Sequence, residues 1–209
     1  MKPALAGRAM KFLHLIPCSF IVAIASGGAL QAAAEPAVIV SIADQTLALV
    51  ENGAPVAQFP VSTSRFGVGD RPGSFATPLG LLEIARKIGA NAPLGTVFKS
   101  RAPTGEILRP NARGRDPIVT RILWLRGLER RNARAYDRAI YIHGTPVERL
   151  IGRPASYGCI RMRSRDVANL FNAVSVGTRI AVVTGHLRDG IERASVEALH
   201  SEFGFASNY

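Results

Sequence analysis

The chain is organised around one short stretch in which a glycine precedes a cysteine. The stretch reads Ser156-Tyr157-Gly158-Cys159-Ile160-Arg161-Met162, and an upstream segment reads Ile142-His143-Gly144-Thr145. Cys159 is a candidate nucleophile, because a deprotonated thiol attacks carbonyl carbon. His143 is the candidate base, since imidazole titrates near neutral pH. The pair predicts nucleophilic chemistry, provided that the fold brings the two side chains together.

The number of cysteines supports a chemical role for Cys159. The chain contains two cysteines, and Cys18 lies in a segment that we interpret below as an export signal. A lone thiol in an oxidising compartment has no internal disulfide partner, so it is either buried and inert or retained for its reactivity. Gly158 favours the reactive alternative, because glycine permits a sharp turn at which backbone N–H groups can converge on an oxygen that gains charge. For His143, which follows the apolar run 139–142, a purely structural histidine is the alternative.

The two segments together resemble the signature of the L,D-transpeptidase (YkuD-type) catalytic domain. The resemblance extends over roughly residues 37–184. The other segments that carry it are Gln45–Leu49, Phe59–Thr63, Thr77–Gly80, Thr120–Leu125 and Val176–Thr178. One departure is Tyr157, since many members of the family have histidine before the Gly-Cys pair. The joint motif is far more specific than a three-residue match.

The resemblance implies a role for each residue of the motif. Cys159 would be the nucleophile, and His143 would accept and return its proton. Gly144 would orient the imidazole through its backbone carbonyl. Backbone N–H groups from Tyr157 through Gly158 to Cys159 would form the oxyanion hole.

Three further residues are implied in substrate binding. Arg161 would either stabilise the catalytic loop or bind a substrate carboxylate. Ser156 and Thr145 would complete the substrate-binding set. The resemblance implies no metal and no organic cofactor.

The implied reaction is cysteine acyl transfer on peptidoglycan stem peptides. The Cys159 thiolate would attack the carbonyl between the third residue and the terminal D-alanine of a donor tetrapeptide. An amine on an acceptor stem, or on a wall-anchored protein, would then take the acyl group. Water as acceptor would make the protein an L,D-carboxypeptidase. There are two alternatives. One is another cysteine peptidase, but those usually place the nucleophile before the histidine, and the order here is reversed. The other is a non-enzymatic wall-binding domain.

The first 34 residues have the layout of a secretory signal peptide. Lys2, Arg8 and Lys11 precede a largely apolar segment, residues 12–29, and the small residues 32–34 form a cleavage site. We therefore expect an exported protein, in the periplasm or cell envelope. A retained anchor helix is the alternative, weakened by a proline and a Gly-Gly pair. A lipoprotein site at Cys18 is disfavoured, because a proline precedes it and the apolar run continues.

The net charge points to an anionic partner. The formal charge is +11, and the three basic residues of the first 34 leave +8 for the remainder. A basic exported protein suits a cell-wall polymer or a membrane surface, although a solvated basic face is the simpler interpretation. No nucleic-acid-binding motif is present, and export argues against a nucleic-acid partner.

The residues before the motif are typical of β-structure. Residues 38–40 and 46–51 predict strands, and Asn52-Gly53 predicts a hairpin turn to a strand over residues 54–62. Val56 and Phe59 are its candidate core residues. Further strands are expected at residues 80–88, 119–125 and 140–143. The segment 88–132 is rich in arginine, and its prolines exclude long regular elements in its first half, which favours either a substrate-binding lid or a solvated loop.

The residues after the motif predict a helix and a last strand. Val167, Leu170, Phe171 and Val174 recur at helical spacing, with Ser164 as the expected N-cap. The last strand is expected at residues 179–183. We therefore predict a mainly β, compact L,D-transpeptidase-like β-sandwich with one or two short helices.

The predicted organisation has three parts. Residues 1–34 are the signal peptide and residues 35–185 the catalytic domain. Residues 186–209 form a C-terminal tail, with a helix expected over residues 191–203.

Overall fold

The structure is a computed structural model, and it describes residues 37–193. The predicted signal peptide and most of the predicted tail helix lie outside the described residues. Within them the strands are β1 Ala37–Ser41, β2 Thr46–Glu51, β3 Ala54–Pro60, β4 Gly80–Ile88, β5 Thr96–Lys99, β6 Ala102–Ile107, β7 Ile118–Gly127, β8 Tyr141–Gly144, β9 Ile160–Met162 and β10 Arg179–Val183. Helix α1 is Ser164–Ala173, and residues 187–193 are also helical.

All ten described strands are hydrogen-bonded into one sheet. The strand order is β3-β2-β1-β10-β4-β7-β5-β6, with β8 paired to β7 and β9 paired to β8. Only the β1–β10 and β8–β9 pairs among them are parallel. The long strand β7 carries β4 and β5 on one edge and β8 on the other, which brings the two motif strands into the sheet. The mainly β fold with short helices is confirmed.

The main hydrophobic core lies between the sheet and α1. Val167, Leu170 and Phe171 of α1 are buried there, as the helical spacing predicts, together with Ile142 of β8 and Ile160 of β9. Burying side chains of this size contributes roughly 1.5–3 kcal/mol each to folding. The core therefore fixes the positions of β8 and β9, which carry the predicted site.

The predicted N-cap of α1 is wrong. Arg163 occupies the cap position, and Ser164 is the first helical residue. The backbone N–H of Ser164 donates to Glu148 Oε1 at 2.8 Å. A carboxylate at a helix N-terminus satisfies an open N–H and interacts favourably with the helix dipole. Because the Glu148 carboxylate, from an earlier part of the chain, accepts from this N–H, the helix does not need a serine side chain as its cap.

The predicted hairpin turn is confirmed, but one of the two predicted core residues of β3 is wrong. Asn52 and Gly53 both have positive φ, as a type I′ turn requires. Phe59 is partly buried against the core. Val56, however, is 54% exposed. Strand β3 is an edge strand, and a bulge at Leu49/Val50 interrupts its register with β2, so strict alternation does not hold along it.

The arginine-rich segment contains a short hairpin, β5–β6, that the sequence did not indicate. Ser100 and Arg101 form its tip, and both have positive φ without being glycine. Pro103 lies in β6, an edge strand, where the missing N–H is tolerated. Phe98 of β5 is buried in a second cluster with Trp124 and other residues on the sheet face opposite α1.

The start of the predicted tail packs on the sheet. Leu187 is buried against Ile39 and Ala48. Its backbone N–H donates to Asp44 Oδ2 at 2.6 Å, and His186 Nδ1 lies 2.7 Å from Asp44 Oδ1. Helix formation begins at residue 187, earlier than expected. Among residues 37–193, no helix has both the length and the apolarity that a membrane crossing needs.

Candidate active site

The parallel pair β8–β9 places the predicted nucleophile and base on one face of the sheet. His143 is in register with Arg161, and Ile142 with Ile160. Side chains alternate along a strand, and the two isoleucines point into the main core, so His143 and Arg161 point to the opposite face. Cys159 precedes β9 by one residue and shares that face. It packs there against the second cluster.

The imidazole of His143 is held in one tautomer. Its Nδ1 lies 2.8 Å from the carbonyl oxygen of Gly144. A carbonyl can only accept, so Nδ1 carries the hydrogen, and Nε2 is left to accept a proton. The side chain is buried, and burial lowers the pKa of His143 to about 4. At neutral pH the residue is therefore an uncharged imidazole that can act as a base.

Cys159 is also uncharged at rest. The residue is partly exposed, and its Sγ donates to the carbonyl of Ala139 at 3.5 Å. Burial raises the pKa of the Cys159 thiol, against smaller lowering effects from the Tyr141 N–H and from the charges of Arg161 and Arg138. A neutral thiol on the same sheet face as a neutral imidazole requires general-base activation, in contrast to a preformed thiolate–imidazolium pair.

The raised pKa predicts a steep pH dependence of thiol alkylation. We expect the rate at which iodoacetamide modifies Cys159 to be low at pH 7 and still rising above pH 9. For a free cysteine, whose pKa is near ~8.5, the alkylation rate begins to level off near that pH. Peptide-level mass spectrometry distinguishes modification of Cys159 from that of Cys18. A rate already at its maximum below pH 7 would contradict the neutral resting pair.

The turn before Cys159 depends on a glycine and on two hydroxyl groups. Gly158 has φ +114°, and a Cβ there would lie 3.2 Å from the carbonyl oxygen of Ala76. The Ser156 hydroxyl donates to the Cys159 carbonyl at 2.6 Å and accepts from the Gly158 N–H at 3.2 Å. Thr77 Oγ1 donates to the Gly158 carbonyl at 3.0 Å. The turn is thus held by its own Ser156 and by Thr77 from a distant segment, and the hydroxyl of Ser156 makes structural hydrogen bonds here.

The turn leaves two of its three candidate oxyanion donors open. The Gly158 N–H is occupied by Ser156 Oγ. The N–H groups of Tyr157 and Cys159 donate to no acceptor within residues 37–193. These two N–H groups therefore remain available to an incoming oxygen, whereas that of Gly158 is already occupied.

Asp116 joins two of the predicted site residues and was missed by sequence reasoning. Arg161 Nη1 lies 2.7 Å from Asp116 Oδ2, in a largely buried ion pair. Thr145 Oγ1 donates to the other carboxylate oxygen of Asp116. Breaking a buried pair by removing one partner costs roughly 3–5 kcal/mol. This pairing favours the loop-stabilising role of Arg161 over direct binding of a substrate carboxylate.

A second buried ion pair, also missed, lies beside Cys159. Arg138 Nη1 is 2.8 Å from Asp70 Oδ1, and both side chains are about nine-tenths buried. Arg138 also donates to the carbonyls of Gly69 and Ala76. It therefore ties the loop before β4 to the segment that leads into β8. Neither aspartate belongs to a local motif, so the sequence offered no signal for these pairs.

A comparison with known families decides the classification. The model of the YkuD L,D-transpeptidase catalytic domain matches residues 35–182, well over half of the chain. The chain belongs to the YkuD L,D-transpeptidase family. The motif that led to this expectation, residues 142–145 and 156–162, lies inside the matched region.

Curated members of the L,D-transpeptidase family are similar over short segments. The Bacillus subtilis protein YqjB is 44% identical over 52 residues, which is 24% of this chain and 30% of that protein. The Escherichia coli protein YbiS is 44% identical over 46 residues, 22% of this chain and 15% of that protein. Both names include the term L,D-transpeptidase. The matched segments span less than a third of these relatives' own lengths.

Solved L,D-transpeptidase structures match over more of the chain. The enzyme from Mycobacterium smegmatis has a TM-score of 0.45 at 21% identity, covering 72% of this chain and 59% of its own. The enzyme from Xylanimonas cellulosilytica has a TM-score of 0.48 at 18% identity, covering 73% and 62%.

Gly144 is required by the packing of the L,D-transpeptidase domain. A Cβ at this position would lie 2.6 Å from the carbonyl oxygen of Val119 on the neighbouring strand. We expect Gly144→Ala to push β8 from β7, to lower the free energy of unfolding by about 1–3 kcal/mol and to displace His143. Urea denaturation measures the change.

The matched control for this substitution is Gly185→Ala. The nearest atom to its Cβ would be Asp189 Oδ2 at 3.9 Å, so little change in stability is expected. Equal stability of the two variants would contradict the steric argument.

Within residues 37–193 no group of three or more potential metal ligands is assembled.

Proposed function

We propose that the protein is an exported L,D-transpeptidase that acts on peptidoglycan stem peptides through a Cys159 thioester. The observation that carries the proposal is the common face of Cys159 and His143, with Nε2 of a neutral imidazole open for a proton. Membership of the family supports the reaction class. Residues 1–34 would direct export, residues 35–185 would form the catalytic domain and residues 186–209 the tail.

The first half-reaction forms the thioester. Nε2 of His143 takes the proton of the Cys159 thiol as the sulfur attacks the carbonyl carbon before the terminal D-alanine. The N–H groups of Tyr157 and Cys159 stabilise the oxyanion. The C–N bond then breaks, and His143 returns the proton to the leaving D-alanine amine.

The second half-reaction transfers the acyl group. An acceptor amine attacks the thioester carbonyl and gives a proton to His143, and the C–S bond breaks to release the thiolate. That proton then restores the thiol. A stem-peptide amine gives a cross-link, an amine of a wall protein gives anchoring, and water gives a tripeptide.

The test uses purified protein and a disaccharide-tetrapeptide, with products identified by mass spectrometry. Cross-linked dimers that have lost one D-alanine establish transpeptidation, and tripeptide alone establishes hydrolysis. Intact-protein mass shows the acyl adduct, and its absence from the Cys159→Ala variant assigns it to Cys159. If no product and no adduct form, this substrate is wrong, and a non-enzymatic wall-binding role takes precedence.

A further inference from the structure

Three aromatic rings form an exposed cluster beside the turn that carries Cys159. Phe66, Phe75 and Tyr157 are each about half exposed. Their ring centroids are 5.4–5.9 Å apart, at interplanar angles of 44–89°. We call these three residues the aromatic cup. Clustered exposed rings are uncommon on soluble proteins and mark interaction sites.

The backbone of Phe75 is strained. Its φ is +53°, in the left-handed region that glycine or asparagine occupies far more readily than a bulky residue. Burial of the ring does not compensate for this strain, since the side chain is about half exposed. Such outliers concentrate at functional sites. Stability alone would favour a smaller residue here, so the phenyl ring has another use.

Arg65 supplies a positive charge to the aromatic cup. Its guanidinium lies 4.9 Å from the ring centre of Phe66 and 4.5 Å from that of Tyr157, and Nη2 donates to the Tyr157 hydroxyl. Arg138 and Arg161 are held by buried aspartates, whereas Arg65 has no carboxylate partner within residues 37–193. A guanidinium held on ring faces keeps N–H donors for a carboxylate.

The cup is attached directly to the turn of the nucleophile. Tyr157 is two residues before Cys159. The backbone N–H of Arg65 donates to the Ser156 carbonyl at 3.1 Å, and Ser64 forms a β-bridge with Ser156. A molecule bound in the cup therefore contacts the segment that carries the reacting thiol.

We propose that the aromatic cup is a substrate subsite that binds a carboxylate-bearing part of the stem peptide, with the carboxylate on Arg65 and the adjoining apolar groups against the rings. The inference rests on the proposed function. The tilted rings offer no flat platform for a sugar, whereas an unpaired cation beside apolar surface complements a peptide that carries a carboxylate.

The test measures binding separately from turnover. Binding of the stem tetrapeptide, and of the same peptide with its carboxylates amidated, is measured calorimetrically in the Cys159→Ala background. We expect Arg65→Gln to weaken binding of the carboxylate peptide about tenfold and to leave the amidated peptide unaffected. Arg65→Lys should give an intermediate loss. Arg179→Gln, which removes the same charge at the exposed first position of β10, should have no effect.

Phe75→Gly tests the ring and the strain together. We expect weaker peptide binding with an unchanged or higher Tm, because glycine adopts the left-handed backbone without strain. A structural role of the ring would instead lower the Tm. That result, or a Kd insensitive to Arg65→Gln, would overturn the subsite.

The subsite and the proposed function fail in different ways. Normal turnover by Arg65→Gln and Phe75→Gly overturns the subsite and leaves the function intact. Binding that depends on Arg65, in a protein whose wild type makes no product, overturns the function and leaves the subsite. Absence of peptide binding to the Cys159→Ala protein overturns the subsite whatever the activity.

Discussion

Replacing Cys159 with alanine is expected to lower product formation from a stem tetrapeptide by at least about 10⁴-fold. Cys159 is the only cysteine within residues 37–193, so no second thiol there can replace it. Cys159→Ser should also be nearly inactive, because a hydroxyl is far harder to deprotonate than a thiol. Mass spectrometry of products and of the acyl adduct measures both effects.

The fold should survive this substitution. Cys159 is partly exposed, and its thiol donates to the Ala139 carbonyl at a long 3.5 Å and accepts from the Tyr141 N–H. We expect the Tm of Cys159→Ala to change by no more than a few degrees. Cys18→Ala in the full chain is the matched control and should keep full activity. Product formation by folded Cys159→Ala would disprove the thioester mechanism.

Replacing His143 with glutamine is expected to reduce turnover about 10²–10⁴-fold, the usual contribution of a general base. The thiol remains but has no group to take its proton. Because burial raises the pKa of Cys159, the variant should regain part of its activity at high pH, where hydroxide removes that proton. The pH profile of turnover, compared between wild type and variant, measures this. Equal loss at every pH would indicate that His143 has only a structural role.

The same histidine predicts acid sensitivity of the fold. Its pKa is about 4 in the folded protein and near ~6.5 when unfolded. Between these values the unfolded chain binds the extra proton, so stability falls as the pH drops from about 6.5 to about 4. The full effect is about 3 kcal/mol.

His143→Gln should remove this part of the acid loss. Urea denaturation of both proteins at pH 7 and pH 4.5 gives the comparison. His186 titrates in the opposite sense, since Asp44 raises its pKa, but it is common to both proteins and cancels in the difference. An identical pH dependence in both proteins would contradict a buried neutral imidazole.

Local patterns predicted most of the strands. The Asn52-Gly53 turn, the strand over 80–88 and the strand over 179–183 were predictable, because alternation and turn chemistry operate within a few residues. The β5–β6 hairpin was not, because Ser100 and Arg101 form its turn without glycine. The exposure of Val56 depends on β3 being an edge strand, which no local pattern reveals.

The site residues likewise fall into those that a local pattern indicates and those that it does not. Cys159 and His143 are close in sequence to the motif residues Gly144, Ser156 and Gly158, so the motif alone indicated them as candidates. The contribution of Thr77 to the turn was not indicated, because it comes from a distant segment. Asp116, Asp70 and Arg138 were invisible, because their partners lie 20 or more residues away and an isolated charged residue is normally a surface residue.

The sequence by itself determined the family, through the joint motif, and the strand that carries His143. It also proposed Cys159 and His143 as nucleophile and base. The strand and the candidate roles follow from short-range chemistry: a glycine turn, strand alternation and a histidine at a strand end. The tertiary structure alone decided that burial leaves both His143 and Cys159 uncharged. It also decided that Arg138 and Arg161 are paired with buried aspartates, whereas Arg65 lies on exposed aromatic rings without a carboxylate partner among residues 37–193. Burial and ion pairing depend on which distant segments are in contact, and only the tertiary structure determines those contacts.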